Sequence, residues 1–492
     1  MGLLGKKKKP DPSRGQRDQQ AEAEQRWCFQ EAVAAGEAGD HARELALYET
    51  AAEQGSTAAM LNLGFLYARG VGTAADQTKA LRWYEKAAGQ GSADAGFICG
   101  LMYEMGQGTA MNRARALSWY KKAAEQGHAG AQYQCGQMYD NGSGARKNKA
   151  RALMWYEKAA EQGHAEAQYQ CGWMYSHGEG AAADKAKARC WYEKAAEQGS
   201  AAAMFNLGVL YSMDVTASRA TAVMWYEKAA EHGDAEAQYQ CGFLYALGLD
   251  VKLDQAKALM WYEKAARQGH LRAQYICGLM YDGGMGTAVD KARALYWYEQ
   301  AAEQGHDEAQ FNCGSMYANG DGAAADKDKA LYWYEKAAEQ GLAKAQFRCG
   351  LMYYCSGVPA EDDWDVVPAA WPEKAAGPDS ASVQRWARDF VAERWDEYAR
   401  ALMWFEKAAE QGHAETQFRC GEMYKDGEGT KEDEARALYW YEKAAEQGLA
   451  KAQFRCGEMY YFGRGTARDE ETGWMWFKRA NEQWRREGKA GF

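Results

Sequence analysis

Cysteine offers the most chemistry in this sequence, and nine of its twelve cysteines recur at one position of a repeated pattern. A disulfide needs its Cα atoms within about 7 Å, whereas neighbouring helices of a stack lie about 8–10 Å apart. Leu63 and Leu207 fill the same position elsewhere, as a packing position allows. The pattern therefore predicts small buried hydrophobic side chains at Cys99, Cys135, Cys171, Cys241, Cys277, Cys313, Cys349, Cys420 and Cys456.

Histidine is the second residue type that could do chemistry. A zinc site would be accompanied by a motif such as Cys-x-x-Cys or His-Glu-x-x-His, and neither is present. Five histidines each follow a glycine that ends a repeated phrase: His128, His164, His270, His306 and His413. We predict no metal site and interpret these histidines as exposed residues between helices.

Glycine-rich loops are the third candidate. A nucleotide-binding loop follows a strand or continues into Gly-Lys-(Ser/Thr), and these loops do neither. We predict turns at the Gly-x-Gly sequences that begin at Gly70, Gly106, Gly142, Gly178, Gly284, Gly320, Gly427 and Gly463. No Gly-x-Ser-x-Gly elbow occurs, and most acidic residues belong to a repeated Glu-Lys-Ala-Ala-Glu surface. The sequence predicts no catalytic residue and no cofactor.

The spacing of tryptophan reveals the repeat behind these patterns. The phrase Trp-Tyr-Glu-Lys-Ala-Ala-Glu-Gln-Gly, or a variant of it, begins at each of eleven tryptophans. These are Trp83, Trp119, Trp155, Trp191, Trp225, Trp261, Trp297, Trp333, Trp404, Trp440 and Trp476. The interval is 36 residues in most cases, but it is 34 before Trp225 and 71 before Trp404. We interpret the longer interval as hiding a damaged copy. A second phrase, (Cys/Leu)-Gly-x-x-Tyr, lies between successive tryptophans.

Each copy reads as two helices. Ala80, Tyr84 and Ala87 recur at helical spacing, and Gly91 is suited to end that helix. In the other helix, Gly136 lies beside the apolar face and is predicted to let a neighbouring backbone approach. A pair of this length cannot supply a core alone, so neighbouring copies must cover its apolar faces. We predict an all-α, right-handed α/α superhelical solenoid of about 12–13 antiparallel helix pairs.

Composition predicts where the regular array is interrupted. We expect a disordered basic tail over 1–18, a divergent capping pair over 19–55 and regular repeats over 56–353. Four of the six prolines fall within 354–412, which we interpret as degenerate repeats with a Pro-rich insertion. No Gly or Pro occurs from Asp379 to Gln411, so we expect a tight helical turn or one long helix there. Repeats and a C-terminal cap then occupy 413–488.

The repeated residues resemble a known family. Ala-x-x-x-(Leu/Cys)-Gly-x-x-Tyr, a Gly-x-Gly loop and Lys-Ala-x-x-Trp-Tyr-x-x-Ala-Ala-x-x-Gly are similar to the Sel1-like repeat, a relative of the tetratricopeptide repeat. The resemblance covers roughly residues 56 to 480. It implies an α/α superhelix and a scaffold or adaptor role. Some bacterial relatives are described as weak β-lactam-binding enzymes, but their paired cysteines within one repeat are missing here.

Charge and the N-terminal residues bear on location. The net charge of −10 lacks the positive excess that is typical of a general nucleic-acid binder. No apolar run approaches the roughly 18 residues that cross a bilayer, and no secretory signal is recognised, so we expect a cytoplasmic protein. Gly2 followed by Lys6–Lys9 resembles a lipidated polybasic anchor, which makes peripheral membrane association through these residues a second hypothesis.

Two columns of residues on the first helix of each copy suggest a binding surface. The packing column is mostly aromatic and comprises Leu61, Phe97, Tyr133, Tyr169, Phe205, Tyr239, Tyr275, Phe311, Phe347, Phe418 and Phe454. The recognition column lies one turn later and comprises Phe65, Leu101, Gln137, Trp173, Val209, Phe243, Leu279, Ser315, Leu351, Glu422 and Glu458. Related stacks line a concave groove with this face. Because the recognition column varies from Trp to Glu, it is suited to reading a peptide.

Three functions remain open from the sequence. The first is a non-catalytic scaffold that binds protein or peptide partners on its concave face. Arg348, Arg419 and Arg455 recur beside the packing column, where they could receive acidic side chains. The second is an enzyme similar to the bacterial β-lactam-handling relatives. The third is an adaptor recruited to a membrane through Gly2 and the lysines.

Overall fold

A computed structural model of the chain describes residues 12–214, 219–355 and 381–488, with side chains described for 22–214, 220–355 and 395–488. These residues form 24 α-helices and no strand. The helices are α1 (Pro12–Glu37), α2 (His41–Glu53), α3 (Thr57–Arg69), α4 (Gln77–Gly89), α5 (Ala93–Met105), α6 (Arg113–Glu125), α7 (Ala129–Asn141), α8 (Lys149–Glu161), α9 (Ala165–His177), α10 (Lys185–Glu197), α11 (Ala201–Ser212), α12 (Arg219–Glu231), α13 (Ala235–Leu247), α14 (Gln255–Arg267), α15 (Leu271–Gly283), α16 (Lys291–Glu303), α17 (Asp307–Asn319), α18 (Lys327–Glu339), α19 (Ala343–Cys355), α20 (Ala381–Glu410), α21 (Ala414–Asp426), α22 (Glu434–Glu446), α23 (Ala450–Phe462) and α24 (Glu470–Arg486).

Each repeat is a first helix (odd number) followed by a second helix (even number). Ten of the twelve described second helices follow an Asp or Asn N-cap whose side chain accepts a backbone hydrogen bond, as Asn148 does from Arg151 N at 3.0 Å. The first helix ends at the first glycine of the Gly-x-Gly loop, which is left-handed at Gly142 (φ +80°). Gly91 also has positive φ (+96°) after the C-cap Gln90. The predicted turns and helix ends are therefore confirmed.

The chain forms two compact units, residues 1–240 and 241–492, with the boundary inside α13. In the first unit, α1 to α12 each pack against their neighbours in chain order. The core of this unit is built from small side chains, since Ala123, Ala131 and Ala152 are fully buried, together with larger ones such as Tyr156. The same order of packing runs from α14 to α24 in the second unit. The predicted all-α fold of helix pairs with a 36-residue period is confirmed.

The second glycine of the loop joins one repeat to the previous one. A Cβ at Gly144 would overlap the carbonyl oxygen of Arg113, the first residue of the preceding second helix. The same relation holds between Gly322 and Lys291 in the second unit. Gly144 and Gly322 also have positive φ, so both space and backbone conformation favour glycine.

The irregular segment contains one interrupted repeat. Helix α19 packs against α20, and Gly350 lies against the ring of Phe405 as the corresponding glycines lie against tyrosine elsewhere. Within the described residues, α20 is therefore the second helix of the repeat that α19 begins. The damaged copy before Trp404 stays a prediction, because the phrase that indicates it lies outside the described residues. Of the two predicted alternatives, one long helix forms, Ala381–Glu410. Residues 356–380, including Trp371 and Pro372, lie outside the described residues.

Two other differences concern the shorter irregularities. Helix α1 begins at Pro12, so the predicted tail over 1–18 is too long by the residues from 12 onward. Proline is well suited to the first turn of a helix, and Gln, Arg, Ala and Glu then favour its continuation. Helix α11 ends at Ser212, and its C-cap Met213 is right-handed because the Gly-x-Gly sequence is absent there.

Candidate functional site

The histidines after the repeat-ending glycine are helix caps. His128 is the N-cap of α7, and its Nδ1 accepts a hydrogen bond from Ala131 N at 3.0 Å. Its ring stacks on Phe97 of the packing column, with 4.6 Å between ring centroids and 22° between planes. The interpretation of these residues as exposed is therefore wrong at His128, whose side chain is only 22% exposed. The side chain thus both caps the helix and covers an aromatic neighbour.

Every member of the packing column is half-buried. The ring centroid of Tyr133 lies 5.6 Å from that of Tyr156 in its own repeat. It lies 4.6 Å from the ring centroid of His164, which begins the next repeat. In the second unit, Tyr275 lies between Tyr298 and His306 in the same way. The column therefore contributes to contacts within and between repeats.

The glycine beside the buried cysteine makes room for a ring. A Cβ on Gly136 would lie 2.5 Å from Cδ1 of Tyr156. The expectation that this glycine admits a neighbouring backbone is wrong, because the group that approaches is the tyrosine of the second helix. Sequence periodicity identifies the glycine but does not reveal which atoms use the space.

The first glutamate of the repeated phrase is part of the packing. The hydroxyl of Tyr175 donates to Glu157 Oε1 at 2.5 Å, and Tyr103 donates to Glu85 at 2.8 Å. The interpretation of this glutamate as a surface residue is therefore wrong, since it receives a tyrosine from the next repeat. The tyrosine follows the glutamate by 18 residues in both pairs, but this spacing alone does not show that the two side chains meet.

Three members of the recognition column are more exposed than any member of the packing column, and the others are half-buried. In the first unit, Phe65 is 51% exposed, Gln137 is exposed, and Leu101 and Trp173 are half-buried. In the second unit, Phe243 is 40% exposed. The members Leu279, Ser315, Leu351, Glu422 and Glu458 of the second unit are half-buried.

The aromatic members have neighbours that hold their rings. Trp173 stacks on His177 at 4.4 Å, and Lys149 Nζ lies 5.7 Å from the Trp173 ring centroid. The guanidinium carbon of Arg69 lies 5.5 Å from the ring centroid of Phe65. These cation–π contacts place a basic side chain beside each of the two rings.

The charged end of the column forms an internal network. Arg455 Nε donates to Glu422 at 3.0 Å, and its Nη1 donates to Glu458 at 3.0 Å. The Tyr441 hydroxyl also donates to Glu422. Burial and the Glu422 carboxylate raise the pKa of Tyr441, so this phenol stays neutral. Arg455 therefore uses its donors within the chain and is not an open receptor for acidic side chains.

The other two arginines have different surroundings. Arg348 is exposed, whereas Arg419 is half-buried, with its Nε 3.9 Å from Glu415 Oε1. The structure therefore does not give Arg348, Arg419 and Arg455 a common environment.

The cysteines offer little reactivity. All nine members of the repeated position are free and buried. Burial raises the pKa of the Cys99 and Cys135 thiols to about 12, so the nucleophilic thiolate is disfavoured at neutral pH. Across the described ranges, no three His, Cys, Asp or Glu side chains are grouped so as to hold a metal ion.

The membrane hypothesis rests on residues beyond the described part of the chain. Gly2 and Lys6–Lys9 lie there, so lipidation stays a prediction. Among the described helices, none combines the length and apolar character needed to traverse a bilayer.

The repeat geometry agrees with one protein family. The Sel1 repeat matches residues 57–92, 93–128, 129–164, 165–200, 201–234, 235–270, 271–306, 307–342, 343–363, 393–413, 414–449 and 450–483. The two short matches, 343–363 and 393–413, are the halves of the interrupted repeat. The chain belongs to the Sel1 repeat family.

Two solved structures show how far this similarity extends. The Escherichia coli protein c5321, described as a protective antigen of uropathogenic strains with an SLR fold, is 35% identical. The alignment covers 89% of this chain and 87% of c5321, with a TM-score of 0.60. A Sel1 repeat protein from Oxalobacter formigenes is 32% identical over 63% of this chain and 96% of its own, with a TM-score of 0.50. No curated protein sequence matches this chain.

Proposed function

We propose that this chain is a non-catalytic scaffold that binds protein or peptide partners along the recognition column of its first helices. The observation that carries the proposal is the exposure of Phe65 (51%) and Phe243 (40%) at the same register in the two units. Aromatic side chains supply much of the binding energy when a partner covers them. Packing within the repeats does not use this exposed area.

The variation along the column supports selective binding. The packing column keeps an aromatic ring in ten of its eleven positions, since its only other member is Leu61. The recognition column ranges from Trp173 through Ser315 to Glu458. Equal backbone positions with unequal side chains allow successive repeats of one unit to contact different parts of a partner.

The first experiment identifies a partner and then locates its contact. Proximity labelling in the native host would name candidate proteins, and each purified candidate would be titrated against the full chain. We expect Trp173→Ala and Phe243→Ala each to weaken binding about tenfold or more, as truncation of an aromatic anchor does.

The matched control uses exposed residues of the second helices. Tyr296 is 53% exposed and Met154 is 40% exposed, so Tyr296→Ala and Met154→Ala remove comparable surface elsewhere. We expect these variants to bind as the unaltered chain does. Full affinity in both Trp173→Ala and Phe243→Ala, with circular dichroism showing intact folding, would contradict the proposal.

A further inference from the structure

The tyrosine that follows the repeated phrase meets a carboxylate of the preceding repeat. In the first unit, the hydroxyl of Tyr103 donates to Glu85 Oε1 at 2.8 Å. One repeat away from the next such tyrosine, the hydroxyl of Tyr175 donates to Glu157 Oε1 at 2.5 Å. Each of these bonds joins a first helix to the second helix before it, so the carboxylate belongs to the interface between repeats.

The repeat between these two lacks the carboxylate. Lys121 occupies the position of the glutamate, and the tyrosine 18 residues later is Tyr139. The Tyr139 side chain is only 5% exposed, yet its hydroxyl forms no hydrogen bond with the described residues. Its oxygen is not sealed from solvent. A largely buried phenol therefore keeps a donor that its counterparts in neighbouring repeats have used.

An open pocket of about 340 Å³ lies at this point of the first unit. Tyr139 of α7 lines it together with Lys121 and Lys122 of α6. The other lining residues are Ala114, Leu117, Ser118 and Glu125. The pocket thus combines a phenol donor and two ammonium groups with apolar atoms from the same helix.

The following second helix adds a further positive charge. The guanidinium carbon of Arg151 in α8 lies 5.6 Å from the ring centroid of Tyr139. The equivalent Arg115 donates from Nη1 to the Tyr103 hydroxyl at 3.4 Å, beside the glutamate. Neither Lys121 nor the side chain of Arg151 forms an ion pair within the part of the chain that the structure describes. Basic groups from α6 and α8 therefore approach Tyr139 without the acid that accompanies its counterparts.

We propose that this pocket binds a carboxylate group from outside the chain, which accepts a hydrogen bond from the Tyr139 hydroxyl and pairs with Lys121. The chemical class follows from Tyr103 and Tyr175, whose hydroxyls each donate to a carboxylate. Leu117 contacts the short apolar stem that carries the group. A free carboxylic acid and an acidic side chain of a partner share this chemistry, and the test separates them.

The carboxylate pocket is separate from the recognition column. Tyr139 follows Gln137 by two residues, which places it about 200° around α7. Gln137 is exposed, whereas Tyr139 is buried beside α6. The inference therefore goes beyond the proposed function, and Trp173→Ala should leave the pocket unchanged.

The test follows the methyl groups of Leu117 by NMR in the full, methyl-labelled chain at constant ionic strength. Sodium glutarate is the free-acid probe, and the capped tripeptide Ala-Glu-Ala is the side-chain probe, with capped Ala-Gln-Ala as its uncharged match. We expect saturable shifts with a carboxylate probe and none with the Gln peptide. Shifts with glutarate alone identify a free acid as the ligand, and shifts with the Glu peptide alone identify an acidic side chain.

Matched variants of the chain test each contact. Lys121→Glu restores the acid of the neighbouring repeats, so it should occupy the Tyr139 donor from within and abolish the shifts. Tyr139→Phe removes only the hydroxyl and should weaken binding about tenfold, as loss of a hydrogen bond to a charged group does. Tyr175→Phe is the control, because it removes the same hydroxyl where Glu157 already accepts it, and binding should be unchanged.

A second measurement does not depend on the probe. Lys121→Glu should unfold at a higher temperature than Lys121→Gln, because only the glutamate can accept from the Tyr139 hydroxyl as an anion. If circular dichroism shows that Tyr139→Phe has not folded, Lys121→Gln takes its place. Loss of the ammonium group should then weaken the carboxylate probe several-fold.

Four outcomes would overturn the inference. These are no saturable shift with either carboxylate probe, saturation by inorganic phosphate alone, shifts that persist in Lys121→Glu, or equal affinity in the unaltered chain and the folded Tyr139→Phe or Lys121→Gln variant.

Discussion

Gly136 shows how a single absent Cβ decides the distance between two helices. Its Cα faces the ring of Tyr156, and Gly314 faces Tyr334 in the second unit in the same way. Sequence periodicity predicted a close approach at this glycine, but it predicted a neighbouring backbone instead of the tyrosine ring. A glycine in the pattern indicates that space is needed there but does not indicate which group occupies it.

Substitution of this glycine is the prediction at the residue scale. Gly136→Ala would place a methyl group 2.5 Å from the Tyr156 ring, so we expect a loss of about 1–3 kcal/mol in the free energy of unfolding. Urea unfolding followed by circular dichroism would measure it.

Gly89 provides the control for that substitution. It lies in α4 with nothing within 4 Å of an added Cβ, so Gly89→Ala should stabilise the chain by about 0.5–1 kcal/mol through helix propensity. Equal effects of the two substitutions would contradict the role of the Gly136–Tyr156 contact.

At the scale of the helix, histidine caps couple helix ends to protonation. His306 Nδ1 accepts a hydrogen bond from Ala309 N at 3.3 Å, and the ring centroids of His306 and Tyr275 lie 4.3 Å apart. Burial lowers the pKa of His306 below its usual 6.5, although the nearby Asp307 and Glu308 oppose this. A protonated ring would lose the Nδ1 acceptor that caps α17.

The sign of the resulting pH dependence follows from linkage. Because the folded chain holds the proton of His306 less tightly than the unfolded chain, its contribution to stability is present above about pH 6.5 and is lost as pH falls through the lower folded pKa. We expect the urea midpoint of the unaltered chain to fall between pH 8 and pH 5.

Serine provides the matched replacement, since Ser56, Ser92 and Ser200 cap the equivalent helices. His306→Ser keeps a cap that does not titrate in this range, so its midpoint should fall less over the same pH interval. An identical pH profile in the two proteins would show that His306 does not carry the effect.

At the scale of the whole molecule, the interrupted repeat keeps the hydrogen bond that joins the two helices of a regular repeat. Gln411 Nε2 donates to Gln346 Oε1 at 2.8 Å in the interrupted repeat, as Gln340 Nε2 donates to Gln310 Oε1 at 2.7 Å in a regular one. The link between helices therefore persists although 65 residues separate the two glutamines, because α20 occupies the ordinary second-helix position.

Deletion of a complete repeat is the prediction at this scale. Removal of residues 129–164 joins His128 to Ala165, which reproduces the normal order of a capping histidine and a first helix. We expect a soluble chain with unchanged helix content per residue and a lower unfolding midpoint, because one set of interfaces is lost. Circular dichroism and size-exclusion chromatography would test this.

Deletion of half a repeat is the corresponding control. Removal of residues 129–146 leaves two second helices in succession and no first helix between them, so their apolar faces lack the matching partner. We expect aggregation or loss of cooperative unfolding. A chain that tolerated both deletions equally would contradict the dependence on paired neighbours.

The sequence by itself determined the helix pairs, their period and the buried cysteine position, because identical patterns of apolar side chains recur along the chain and local backbone signals mark each end. Tertiary structure alone decided that His128 caps a helix, that Glu157 receives Tyr175 and that Arg455 is already paired. Those outcomes depend on which side chains of neighbouring repeats meet, and that geometry is set by packing between helices rather than by the pattern within any one of them.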